Sequence, residues 1–103
     1  MAQKHVPTSP TTARQLAKIG QRVRLVRKAR GHTSFTLAAA LGMSQAHVSR
    51  IETGQQGLRC VTVLQLAKVL NVSPMIFFME PGIARRMREA LPEGMIRGIE
   101  LVS

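Results

Sequence analysis

The chain has 103 residues, of which 45% are hydrophobic, so it is long enough for one domain with a single modest core. Fifteen Lys and Arg against five Asp and Glu give a formal net charge of +10, which favours nucleic acid or an anionic surface as the partner. Three Phe without Trp or Tyr exclude an aromatic platform for single-stranded bases, and a single Cys excludes an intramolecular disulfide.

The first predicted element is an amphipathic helix that follows a polar segment, residues 1–10, which we expect to form a flexible arm. Ser9 or Thr11 can cap this helix, and Pro10 suits its first turn. Gly31 is expected to end it just after Arg30. Its apolar positions recur at spacings of three and four, and they are Leu16, Ile19, Val23 and Val26.

The same predicted helix is strongly basic. Seven cationic residues lie within 17 positions that contain no acid: Arg14, Lys18, Arg22, Arg24, Arg27, Lys28 and Arg30. A solvated face is the simplest explanation of such a run, but repulsion among so many like charges favours a surface that an anion covers. A membrane-surface role is a weaker alternative, because the apolar face of the helix is needed for the core.

Two short helices separated by a glycine come next. Thr33 or Ser34 can cap a second helix that ends at Gly42, and Ser44 can cap a third helix that runs to about Thr53. Two helices joined by a short glycine-containing turn are typical of a helix-turn-helix. In that motif the start of the second helix reaches base edges in the major groove. The candidates for base contacts are Gln45, Ala46, Ser49 and Arg50.

The remaining elements complete an all-α domain over residues 11–80. A fourth helix is predicted from about Val61 to Leu70, and Ser73 with Pro74 opens a short fifth helix. Residues 81–103 form a C-terminal extension, a short helix or a strand, in which residues 95–103 fit either. We expect this extension to mediate dimerisation, although it can instead fold back on its own chain. Its apolar candidates are Ile83, Met87, Leu91, Ile96, Ile99 and Leu101.

An ordered set of positions between Ile19 and Phe78 carries a family resemblance. The set comprises Arg27, Gly31, Leu37, Ala38, Gly42, Ser44, Gln45, Val48, Ile51, Glu52, Gly54, Leu66, Ala67, Leu70, Val72 and Ser73. It resembles the Cro/C1-type (XRE) helix-turn-helix regulators of phages and bacteria. The resemblance implies a five-helix, lambda-repressor-like domain that binds double-stranded DNA.

The resemblance also implies roles for single residues. Gln45 matches a position that commonly takes adenine, and the Arg50 guanidinium fits the two acceptors of guanine. Ala46 matches a second base-facing position, where its methyl can touch thymine or read nothing, and Ser49 can reach a base or a phosphate. Where the family commonly has Gln, this chain has Ser34, which we do not expect to brace Gln45 in the same way.

Further implied roles concern the DNA backbone and the packing of the third helix. Arg27 and Glu52 match a buried ion pair that ties the first helix to the recognition helix. Helix N-termini favour phosphate because their N–H groups are unpaired and the helix dipole is positive there. The phosphate-contact candidates are Arg22, Arg24, Ser34, Ser44, His47, Gln55, Gln56 and Arg59.

These observations predict a cytoplasmic, nucleoid-associated homodimer that represses transcription by occupying a palindromic operator. The alternative is an antitoxin of the HipB type, which binds a protein toxin and autoregulates its own promoter; another regulator is also conceivable as a protein partner. His5, His32 and His47 lie far apart and do not predict a metal site. We expect no cofactor, no catalytic residues and no membrane association.

Overall fold

The computed structural model describes residues 9–79, 86, 89–92, 97 and 98. Its α-helices are α1 (Pro10–Ala29), α2 (Ser34–Leu41), α3 (Gln45–Glu52) and α4 (Cys60–Leu70), followed by a 3-10 helix over Pro74–Phe78. The all-α prediction is confirmed for these ranges, which contain no strand. The fifth predicted helix is a 3-10 helix of five residues, and the backbone is extended from Met79.

Side-chain caps explain where the first three helices begin. The Ser9 hydroxyl accepts a hydrogen bond from the Thr12 N–H at 3.1 Å, and the Ser44 hydroxyl accepts from the His47 N–H at 3.1 Å. Thr33 and Thr36 form a reciprocal capping box at the start of α2. Each cap satisfies an N–H that has no partner within its own helix. By contrast, α4 begins after Arg59 without a side-chain cap.

All four α-helices and the 3-10 helix contribute buried residues to one core. Leu37, Ile76 and Phe77 are fully inaccessible, and Val48 is 2% exposed on the inner side of α3. Gly42 has φ of +70° at the end of α2, a conformation that favours glycine and lets the chain reverse toward Ser44. The short turn therefore joins two helices that share one core.

Close contact between α1 and the end of α3 sets the position of α3. A Cβ on Gly20 would lie 2.4 Å from the Ile51 carbonyl oxygen and 2.6 Å from that of Glu52. A Cβ on Gly54, which has φ of +76°, would lie 2.8 Å from the Ala17 backbone. Two glycines thus permit a backbone approach that side chains would block, and nothing in the periodicity of α1 marks this role of Gly20.

A buried ion pair joins the same two helices. The Arg27 Nε donates to Glu52 Oε2 at 2.6 Å, and Arg27 Nη2 donates to Glu52 Oε1 at 3.1 Å. Arg27 Nη1 also donates to the His32 carbonyl oxygen at 2.9 Å, beyond the end of α1. Both charged side chains are less than a tenth exposed. The two-pronged geometry fixes the orientation of α3 as well as its distance from α1.

The described residues of the C-terminal extension contact their own domain. Leu91 is half-buried against the core, and Gly98 is buried next to Val72. The Ser73 N–H donates to the Arg97 carbonyl oxygen at 2.9 Å. The other dimerisation candidates, Ile83, Met87, Ile96, Ile99 and Leu101, lie outside the described residues, as does most of the arm.

Candidate nucleic-acid interface

The two sides of α3 differ sharply in burial. Val48, Ile51 and Glu52 are buried on the inner side. The base-contact candidates are exposed on the other side, and they are Gln45, Ala46, Ser49 and Arg50. Helix α3 therefore presents a short polar surface that its own domain leaves uncovered. This arrangement can donate and accept hydrogen bonds along the edge of a ligand placed against the helix.

Gln45 is held from the start of α2. Its Nε2 donates to the Ser34 hydroxyl oxygen at 2.9 Å. The expectation that the shorter Ser34 would not brace Gln45 as the family's Gln does must therefore be corrected, since a direct contact forms. The long Gln45 side chain spans the gap between the two helices, so a short side chain at Ser34 is sufficient for the hydrogen bond.

The loop after α3 contributes a side chain that contacts α3. The backbone of Gln56 is a predicted phosphate contact, and its side chain lies against α3. Its Oε1 accepts from Arg50 Nε at 3.2 Å, and its Nε2 lies 2.6 Å from His47 Nε2. No sequence signal marks these contacts, because Gln56 lies beyond the helix and outside its periodicity.

Three of the phosphate-contact candidates lie at helix N-termini. Ser34 is the first residue of α2, Ser44 caps α3, and Arg59 precedes α4 with an exposed side chain. Because α4 lacks a side-chain cap, its first N–H groups have no such partner. Arg59 and these N–H groups together form a locally positive site at the end of the loop that contains Gln55, which is exposed.

The two arginines predicted on α1 lie on different faces. Arg24 is four residues after Gly20, about 40° round the helix, and so lies near the side that packs on α3. Arg22 is about 200° from Gly20 and lines a surface pocket with Gln15, Lys18, Ile19 and Phe78. The structure therefore brings Arg24, but not Arg22, toward the side of α1 that contacts α3.

Within the described residues, no group of three or more His, Cys, Asp or Glu can hold a metal ion. Cys60 is an exposed free cysteine at the start of α4. In the same ranges no helix is both long and apolar enough to cross a bilayer.

Comparison with known proteins places these features in a family. The family model described as a helix-turn-helix domain matches residues 18–75, more than half of the chain. No curated protein matches the chain.

Two solved structures are similar. The restriction-modification controller protein C.AhdI from Aeromonas hydrophila is 38% identical, with a TM-score of 0.59 over 61% of this chain and 96% of that one. The hypothetical transcription factor NHTF from Neisseria is 20% identical, with a TM-score of 0.66 over 82% of this chain and 99% of that one, and it supports the fold alone. The chain belongs to the helix-turn-helix domain family and is a DNA-binding regulator of the Cro/C1 (XRE) type.

Proposed function

We propose that this protein is a dimeric repressor that binds a palindromic operator by placing α3 in the major groove. The observation that carries the proposal is the division of α3 into a buried face and an exposed polar face. Glycine-mediated contact with α1 and the buried pair of Arg27 and Glu52 hold the helix in place. A rigidly held helix with an uncovered polar face is what recognition of base edges requires.

Gln45 and Arg50 supply the principal base contacts in this proposal. One amide proton of Gln45 binds Ser34, which leaves the second proton and Oε1 for the adenine edge. Arg50 reads guanine, and each good bidentate contact of this kind contributes about 1–3 kcal/mol of discrimination. The Ala46 methyl packs on a thymine methyl, and the Ser49 hydroxyl contacts a base or the adjacent phosphate.

Phosphate contacts dock the domain at the sides of α3. Ser34 and the α2 N-terminus contact one strand, and Arg59 with the α4 N-terminus contacts the backbone beyond the loop. Further contacts come from the Ser44 and His47 groups, the backbone at Gln55 and Gln56, and the exposed Arg24. Arg22, which lines the pocket beside Phe78, is a further candidate on α1.

Two protomers are needed because one α3 reads only a few base pairs. A dimer places two such helices in successive major grooves, about 34–36 Å apart along the DNA. We assign the dimer contact to the C-terminal extension beyond residue 81. Repression follows if the operator overlaps a promoter. The 38% identity with a restriction-modification controller protein supports a regulatory role over that of an antitoxin.

The proposal is tested by selection of binding sites from a pool of random duplex DNA with the full-length protein. We expect enrichment of one palindromic sequence whose half-sites are centred about one helical turn apart. Recovery of unrelated sequences with equal affinity would reject sequence-specific recognition. Enrichment of a single half-site without its symmetric partner would reject the dimeric mode.

A further inference from the structure

The side chain of Gln56 connects two residues of α3 that lie one helical turn apart. Arg50 Nε donates to Gln56 Oε1 at 3.2 Å, and Gln56 Nε2 lies 2.6 Å from His47 Nε2. Gln56 is only partly exposed, although it lies in a loop. The amide therefore forms a bridge between Arg50 and His47 on the surface of the recognition helix.

The backbone that precedes Gln56 is itself fixed to α3. The Gly54 N–H donates to the Ile51 carbonyl oxygen at 3.2 Å, and the Gln55 N–H donates to that of Arg50 at 2.9 Å. These paired bonds, with Gly54 at positive φ, are the Schellman arrangement that ends many helices. The backbone at Gln56 is therefore held close to the end of α3, within reach of Arg50 and His47 for its side chain.

Hydrogen-bond polarity allows only one arrangement of this bridge. A guanidinium has donors and no acceptor, so the amide oxygen of Gln56 must face Arg50. The amide nitrogen then faces His47 and donates to it, so His47 Nε2 must accept and the imidazole proton must lie on Nδ1. The bridge thereby sets the tautomer of one side chain and the orientation of the other.

We propose that Gln56 is a positioning residue for DNA recognition, which holds Arg50 for base reading and His47 as an Nδ1–H donor. This inference rests on the proposed function of α3. With Nε bound to Gln56, the terminal N–H groups of Arg50 remain for the O6 and N7 acceptors of guanine. Ordering the flexible, exposed Arg50 before it meets DNA reduces the entropy lost on binding.

A phosphate contact made by the side chain of Gln56 would have a different signature from a positioning role. Phosphate contacts carry no sequence information, so removing one weakens binding to every duplex alike. Loss of the bridge instead lowers discrimination at the base pair that Arg50 reads, in addition to any uniform loss of affinity through His47. The two roles are therefore separable by measuring affinity for several duplexes.

The test is a double-mutant cycle on full-length protein, with Gln56→Ala, Arg50→Ala and the combined variant. Fluorescence anisotropy measures affinity for the selected operator and for operators substituted at single base pairs. Gln56→Ala should lower discrimination at the Arg50 base pair by about threefold to tenfold, the range expected for ordering one flexible side chain. In the Arg50→Ala background, the same change should leave discrimination unaltered.

Two further variants control for folding and for charge. Gln56→Glu keeps an oxygen acceptor toward Arg50, so it should retain discrimination while its added charge weakens binding to all duplexes. Gln65→Ala removes an exposed amide from α4 and should match the wild type. Equal weakening by Gln56→Ala on every duplex, or no change on any, overturns the positioning role.

A measurement without DNA separates this inference from the proposed function. In ¹⁵N NMR spectra, wild-type His47 should show the Nδ1–H tautomer. Gln56→Ala should shift the tautomer signals of His47 and the Nε–H signal of Arg50. Unchanged signals overturn the bridge. A wild-type protein without base preference overturns the proposed function and leaves the bridge itself intact.

Discussion

At the scale of single residues, the exposed face of α3 owes its order to neighbours outside the helix. Ser34 holds Gln45 from α2, and Gln56 holds Arg50 from the following loop. Each contact leaves further hydrogen-bonding groups of Gln45 and Arg50 available. The polar face is therefore partly arranged before a ligand arrives, which lowers the entropic cost of binding.

Arg59→Ala tests the phosphate contact proposed at the start of α4. We expect affinity for the operator and for random duplex DNA to fall by similar factors, because phosphate contacts carry no sequence information. The slope of log affinity against log salt concentration should decrease by about 1 per protomer. The control is Arg14→Ala, which removes an exposed positive charge from α1, away from the start of α4. A loss confined to the operator would contradict the phosphate role.

At the scale of elements, the stability of α3 comes from its contacts with α1, because the helix itself is short. Its eight residues are too few for a stable isolated helix, so tertiary contacts must hold it. The close approach at Gly20 and the ion pair between Arg27 and Glu52 both join α3 to α1. Substitutions on α1 that displace α3 should therefore weaken DNA binding, even where the substituted residue does not contact DNA.

Gly20→Ala should destabilise the domain by about 1–3 kcal/mol, because the added methyl group would clash with backbone atoms of α3. Backbone atoms cannot avoid such a clash by a change of rotamer. Chemical denaturation measures the free energy of unfolding. Gly57→Ala is the matched control, since its Cβ would meet only Leu16 Cδ2, at 3.9 Å. A Gly20→Ala variant as stable as the wild type would show that α1 and α3 can separate freely.

Glu52→Ala should cost about 3–5 kcal/mol of stability, because it leaves the buried Arg27 guanidinium without its counter-charge. The double variant Arg27→Met with Glu52→Leu should recover most of that loss, since it removes both charges and retains apolar volume. Thermal unfolding of the three proteins checks this order. Equal stability of Glu52→Ala and the wild type would contradict a structural role for the pair.

The helices could be predicted from sequence because their signals are local. Ser44, Gly42 and Gly54 mark ends that depend on one residue's side chain or backbone conformation. Gly20 and Gln56 could not be assigned in this way. Their roles depend on partners in other elements, whose distances appear only once the chain has folded.

At the scale of the whole molecule, positive charge and symmetry act together in the proposed mechanism. The net charge of +10 promotes association with any DNA, and sequence selection then depends on the few contacts of α3. Doubling those contacts in a dimer multiplies the discrimination. The described part of the extension contacts its own domain through Arg97 and Gly98, so the dimer contact must be compatible with that packing.

Sedimentation equilibrium checks the predicted oligomeric state. We expect a species of about twice the 11.3 kDa chain mass at concentrations that saturate the operator, because both half-sites must be occupied together. A duplex that carries one half-site should bind about tenfold or more weakly, since the second contact is lost. A monomer that saturates the full operator at the same concentration would contradict the dimeric mode.

Recognition by the exposed face of α3 is best examined with the binding profile of Arg50→Ala over all single base-pair substitutions of the selected operator. Wild-type protein should discriminate at every contacted position. The variant should lose discrimination at one base pair in each half-site, by about 1–3 kcal/mol, and keep it elsewhere. Full discrimination by Arg50→Ala at every position would show that Arg50 does not read the operator.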